Sequence, residues 1–157
     1  MAKRYWLFKT EPDVYSIQDL AAEPDRRTYW EGVRNYQARN LLRDDVKRGD
    51  GVLFYHSRVK PMCVAGTAKV VKNAYPDPTQ FDSKSKYFDA RAKPGDPPWM
   101  VVDIELDRVF SSPVTLDEMR DMPELADMML LRRGARLSIQ PVSADEWKAI
   151  LKRGKRK

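Results

Sequence analysis

Apolar and polar positions change period several times along this chain. RYWLFK (4–9) alternates aromatic and polar side chains, which predicts a first strand stopped by Glu11-Pro12. Ser16, with Asp19 three residues on and Ile17 and Leu20 beside it, has the spacing of a capped short helix. Asn35 is a good N-cap for a second helix over YQARNLLRDDV, closing at Gly49. The period then becomes that of strands. GVLFYHS (51–57) and CVAGTAKVV (63–71), joined by a short turn at Lys60-Pro61, predict an antiparallel hairpin.

The proline-rich stretch 73–98 carries Tyr75, Phe81, Tyr87 and Phe88, so it reads as a long ordered loop, since a flexible spacer has little use for aromatic rings. WMVVDIELDRVF (99–110) alternates Val102, Ile104 and Leu106 against Asp103, Glu105 and Asp107, a half-buried strand. Short helices are expected over 115–122 and 123–128, a last strand over 137–142 and a final helix over 143–152. Five or six strands with short helices, in no βαβ rhythm, give a mixed α/β domain built as a small barrel or curled sheet. The expected division is one domain, 1–152, and a basic tail, 153–157.

Composition narrows the chemistry. One cysteine, Cys63, and one histidine, His56, leave no intramolecular disulfide and no His- or Cys-rich metal set. GxGxxG, Walker A and GxSxG sequences are absent, so no cofactor and no metal are expected. A Cys63–His56 nucleophile pair has no third orienting group in the sequence, and the Asp103, Glu105, Asp107 row reads as the wet face of a strand. With neither a signal sequence nor an 18-residue apolar run, the expectation is a soluble, cytoplasmic protein without membrane contact.

The 157 residues carry a formal net charge of +6, but the charge is segregated. Residues 26–93 hold +8 and residues 96–127 hold −7, while five of the last six residues are basic. A basic middle segment with a basic end suggests a polyanion partner. Within that segment Trp30 lies among Arg27, Arg34, Arg39 and Asn35, equipment for stacking a base and hydrogen-bonding its edge. Its position between polar residues reads as a loop site and not a core site.

YWLFKTEPDVYSI (5–17), WEGVRNYQARN (30–40), GDGVLFYHS (49–57), VAGTAKVV (64–71), AYPDPTQFD (74–82) and LLRRGARLSIQPVS (130–143) together closely resemble the EVE domain family. The resemblance implies a PUA-like pseudo-barrel related to YTH domains, in a family regarded as readers of modified bases. Carried over by position, it makes Trp30 the ring that stacks on an extruded base. Lys9, Thr10, Glu11, Ser16 and Asn35 would surround it, Tyr55, His56 and Ser57 would close the pocket, and Gln80 and Phe81 would form its outer wall. Arg34, Arg39, Arg132, Arg133 and Arg136 would meet phosphates. After Ser57 the chain offers Met62 and Cys63 but no Trp, a departure from the YTH aromatic cage that leaves 5-methylcytosine and 5-hydroxymethylcytosine beside methyladenine as candidate bases.

The reading is thus a non-enzymatic, monomeric domain binding DNA or RNA that carries a modified base. The alternatives are an enzyme of modified-nucleotide or nucleic-acid metabolism using the same pocket, with His56 or Glu11 as acid–base, and an adaptor for protein contacts.

Overall fold

The computed structural model describes residues 3–155. Six strands, β1 (Tyr5–Thr10), β2 (Arg27–Tyr29), β3 (Gly51–His56), β4 (Cys63–Pro76), β5 (Met100–Thr115) and β6 (Ile139–Val142), form one sheet in the order β2-β5-β4-β3-β1-β6. Four short helices surround it: α1 (Ile17–Ala21), α2 (Tyr36–Asn40), α3 (Leu116–Arg120) and α4 (Ala144–Gly154). The sheet is mixed, since β1 runs parallel to β3 while the other pairs are antiparallel. This is the mixed α/β architecture of five to six strands with short helices that the periodicity predicts.

Both faces of the central strands are covered, which explains why β3 carries Val52, Leu53 and Phe54 in succession and is buried at every position. Trp6, Phe8, Val52 and Phe54 point to one core, shared with Ile17, Leu20 and Ala38 of α1 and α2. Leu7, Leu53 and Tyr55 point to the other, shared with Met119 of α3 and Trp147 and Ile150 of α4. The period-2 alternation thus sorts one strand's side chains into two separate cores.

The hairpin of β3 and β4 forms as expected, with Gly51 opposite Lys69 and His56 opposite Cys63. At Gly66 the backbone of β5 comes so close that a Cβ would lie 2.1 Å from the Arg108 carbonyl oxygen and 2.5 Å from Ile17 Cδ1. Backbone cannot yield as a flexible side-chain end can. Gly66→Ala is therefore expected to destabilise the protein by about 1–3 kcal/mol or more, the cost of forced overpacking, read from the midpoint of urea unfolding.

Four elements differ from the periodicity. The strands β4 and β5 extend beyond 71 and 110 because each supplies the other's hydrogen bonds, Pro76 lying opposite Met100 and Cys63 opposite Thr115. The three-residue β2 carries no period of its own and exists through its pairing with β5, Arg27 lying opposite Glu105. The helix begun by Asn35 passes at Leu41 into a π-helical turn ending at Asp45.

The basic segment from residue 153 starts inside α4. Arg153 Nε donates to Glu118 Oε2 at 2.9 Å, and Gly154 is buried against the Phe110 ring. Arg156 and Lys157 of that segment lie outside the described residues.

Candidate base-binding cavity

β1 and β3 end side by side, the Ser57 N–H donating to the Thr10 carbonyl at 2.8 Å. Beside them β2 ends at Tyr29, and the Trp30 N–H continues its ladder by donating to Val102 O at 2.8 Å. That bond fixes the direction of the indole. Its ring sits 5.4 Å from Phe8 and edge-on to Phe54 at 5.5 Å, with Tyr15 closing from the side at 6.3 Å. Trp30 is only 6% exposed and belongs to the first core, so the expectation of a loop position outside the core is corrected. Polar neighbours in sequence hide this, because β2 is too short to carry a period and Val102, which anchors Trp30, is 72 residues away.

The rest of the indole faces a cavity of about 170 Å³, lined also by Thr10, Val14, Tyr15, Thr28, Tyr29, Glu31, Lys86 and Tyr87. A wider outer lobe shares Thr10, Val14, Trp30, Glu31, Lys86 and Tyr87, and adds Lys9, Glu11, Gly32, Val33 and Ser138. Of the expected base-binding residues, the structure brings Lys9, Thr10, Glu11 and Trp30 together here.

The other expected residues have different work. Gln80 and Phe81 do not line the cavity, and Lys86 and Tyr87 stand where they were expected. Gln80 is fully buried, donating to the Asp77 and Trp99 carbonyls at 2.8 and 2.9 Å and accepting from the Trp99 N–H. Phe81 lies exposed outside the cavity. Ser16 and Asn35 cap α1 and α2, their side chains accepting from Asp19 N and Ala38 N. Tyr55 belongs to the second core. His56 accepts from the Ile17 N–H through Nε2 at 3.1 Å, and burial lowers its pKa, so it is a neutral acceptor pinning α1 to β3. Ser57 continues the β1–β3 pairing without lining either lobe.

Two of the expected phosphate contacts are also internal. Arg34 reaches Asp77 Oδ2 at 3.0 Å, Thr79 Oγ1 at 3.2 Å and the Tyr87 carbonyl at 2.7 Å. Arg39 donates to the Pro98 carbonyl at 2.7 Å and lies over the Tyr36 ring. Both act on the 77–98 segment, which the sequence marks as ordered without showing how. Asp77 is the hub: fully buried, it accepts from Gly32 N, Thr79 N and the Arg34 guanidinium. Gly32 has φ of 84°, and a Cβ there would stand 2.6 Å from the Tyr87 ring. Glycine lets that ring close over the cavity.

Arg132, Arg133 and Arg136 are exposed in the loop before β6, Arg132 donating to the Asp127 carbonyl. The same loop touches the outer lobe. Lys9 Nζ donates to Ala135 O at 3.4 Å, and Ser138 lines the lobe. The acidic row on β5 is consumed by partners: Asp103 accepts from the Tyr75 hydroxyl, Glu105 pairs with Arg27 and Lys69, and Asp107 accepts from Thr67.

Electrostatically the cavity is mixed. Partial burial and the Asp77 carboxylate raise the Glu31 pKa, against the opposing pull of Lys86 and Arg34. Burial lowers that of Lys9. Glu11 faces Arg58 across 3.8 Å, whereas Glu31 has no ion-pair partner among the described residues. Glu31, Lys86 and Tyr87 escaped the sequence reading. Glu31 adjoins Trp30 in the WEG triplet, and that adjacency is the one local signal by which the sequence marks it.

A two-core mixed sheet with an aromatic-walled, partly charged cavity where β1 and β2 end defines a small mixed α/β domain. The chain belongs to the EVE domain family, whose match covers residues 4–153. It is 41% identical to thymocyte nuclear protein 1 of Gallus gallus, over 94% of this chain and 67% of that protein. Among solved structures it is similar to human THYN1 protein in complex with 5-methylcytosine-containing DNA, at 38% identity and a TM-score of 0.92, covering 99% of both chains. A hypothetical protein from Leishmania major is 44% identical, with a TM-score of 0.92 over 98% of this chain and 96% of that one. Among the described residues no helix is long and apolar enough to cross a membrane.

Proposed function

We propose that this domain binds DNA and reads a modified cytosine, 5-methylcytosine first among the candidates, extruded into the Trp30 cavity. The observation that carries the reading is the cavity's size and lining. A dry cavity of about 150 Å³ accepts a benzene-sized ring. At about 170 Å³, walled by Trp30, Tyr15, Tyr29 and Tyr87, the inner cavity has room for a substituted single ring, and the outer lobe that continues it has room for the sugar and phosphate attached to that ring. The complex of the human relative with 5-methylcytosine DNA supports the same ligand class.

The physical sequence is simple. A base flips out at a cost of a few kcal/mol and is repaid by stacking at about 1–3 kcal/mol per base. A buried methyl adds only about 0.8 kcal/mol, so discrimination comes from how fully the modified ring fills the space. Exposed Arg133 and Arg136, beside the lobe that Ser138 lines, are placed to meet phosphates and so to supply salt-dependent affinity. A binding role, and not catalysis, is favoured because His56, the one imidazole, lies off the cavity with Nε2 engaged.

The test uses two variants at the cavity mouth that spare the core. Tyr87→Ala removes a half-buried wall and is expected to weaken binding of a 5-methylcytosine oligonucleotide roughly 5- to 150-fold, the worth of one stacking partner. Val14→Trp, at an exposed position, fills the space and is expected to erase the preference for the methylated over the unmodified strand. Fluorescence anisotropy at low salt reads both. Undiminished affinity and preference in both variants would put the base elsewhere.

A further inference from the structure

Two carboxyl groups line the cavity system, and they differ in setting. Glu11 reaches only the outer lobe and faces Arg58, while Glu31 lines both lobes directly after the stacking Trp30. A cytosine presents two unlike atoms side by side on its pairing edge, the N3 acceptor and the N4 amine donor. An ionised carboxylate satisfies the amine and repels the N3 lone pair. A neutral carboxyl answers both.

Resting on the reading of the cavity as a cytosine site, we propose that Glu31 reads the pairing edge of the extruded base as a carboxylic acid, its O–H donating to N3 and its C=O accepting from the N4 amine. Binding then takes up one proton from solvent at pH values where free Glu31 is ionised. The surroundings favour that uptake. Partial desolvation and then the Asp77 carboxylate already hold the group above the usual carboxylate range, and an entering base removes more water. Lys86, Arg34 and the Tyr29 hydroxyl act in the opposite sense, and Lys9 and Glu11 face it across the outer lobe. The net direction remains upward.

The sign follows from linkage. The complex holds one more proton than the free partners, so affinity falls with rising pH once the pH passes the Glu31 pKa, by about tenfold per unit. Glutamine offers the same donor and acceptor without titrating. Glu31→Gln is therefore expected to have a flat pH profile and to bind more tightly than the natural protein at about pH 8. Glu31→Ala, with neither group, is expected to bind weakly throughout.

A short single-stranded oligonucleotide carrying one 5-methylcytosine is the probe, with affinities measured by anisotropy from about pH 5 to about pH 8. Calorimetry in two buffers of different ionisation enthalpy counts the protons taken up, and thermal melts check that each variant is folded. One proton taken up by the natural protein and none by Glu31→Gln supports the assignment. A natural protein without a pH slope, or a Glu31→Gln variant that keeps it, overturns it, and Tyr87→Ala still weakening the binding then leaves the cavity reading standing. Failure of the natural protein to bind the strand at every pH brings down the cavity reading itself, and the Glu31 assignment with it.

Discussion

Replacing Trp30 by alanine is expected to lower the stability of this protein by about 3–5 kcal/mol, the range for truncating a large aromatic side chain in a core. The indole is packed against Phe8 and Phe54, so its loss opens a void between β1, β2 and β3, while the backbone bond from Trp30 N–H to Val102 O is kept. Against the 5–15 kcal/mol that holds a typical domain folded, that is a large fraction. Urea unfolding followed by circular dichroism measures it. DNA binding by the alanine variant therefore reports unfolding and lost stacking together. Trp30→Phe separates them, because it keeps most of the packing while shrinking the face offered to the base. The expected result is a smaller stability loss with a clear drop in affinity. A stability loss below about 1 kcal/mol for Trp30→Ala would show that the ring is not part of the core.

Removing the guanidinium at Arg34 is the second large effect. Asp77 is fully buried and Arg34 mostly so, and taking away one partner leaves a charge in the interior, at a cost of about 3–5 kcal/mol. The Gly32 and Thr79 donors that remain on Asp77 place Arg34→Met at the lower end of that range. The damage should spread to the ligand site, since Arg34 also holds the Tyr87 carbonyl. Affinity for the methylated strand is expected to fall with the salt slope unchanged. A true phosphate contact changes that slope by about 0.7–0.9 per contact. A drop of that size in Arg34→Met would restore Arg34 to the phosphate surface. Pairing Arg34→Met with Asp77→Asn removes both charges and is expected to recover part of the stability but not all, because the new amide nitrogen meets one of the Gly32 and Thr79 N–H donors; no recovery at all would show that the cost does not lie in the unpaired carboxylate.

These two residues show how far a linear reading reaches. Trp30 and Arg34 were both selected from one segment, WEGVR, on the chemistry of stacking and charge. The structure keeps Trp30 at the cavity and turns Arg34 inward. Sequence spacing cannot separate the two outcomes, because Asp77 and Tyr87, which engage Arg34, lie 43 and 53 residues away. The same holds for Gln80, a polar residue that looks available until the Asp77 and Trp99 carbonyls claim its amide. Polar side chains do not announce whether their partner is solvent, ligand or backbone. Burial decides, and burial is a property of the assembled chain.

The features legible in the chain are therefore local and periodic. Alternation and apolar runs placed five of the six strands, β2 excepted, and Ser16 and Asn35 marked helix starts, because strand pleat and cap geometry are satisfied by residues a few positions apart. The clustered motifs carried the family and its mixed α/β fold. The tertiary structure alone decided which groups meet at the cavity. Lys86 and Tyr87 arrive opposite Trp30 and Glu31 because the loop between β4 and β5 is folded back by Asp77 and Arg34, and Gly32 leaves room for the Tyr87 ring. Contacts of that separation depend on strand order and on which buried charge finds which partner, and neither is written in the period of the chain.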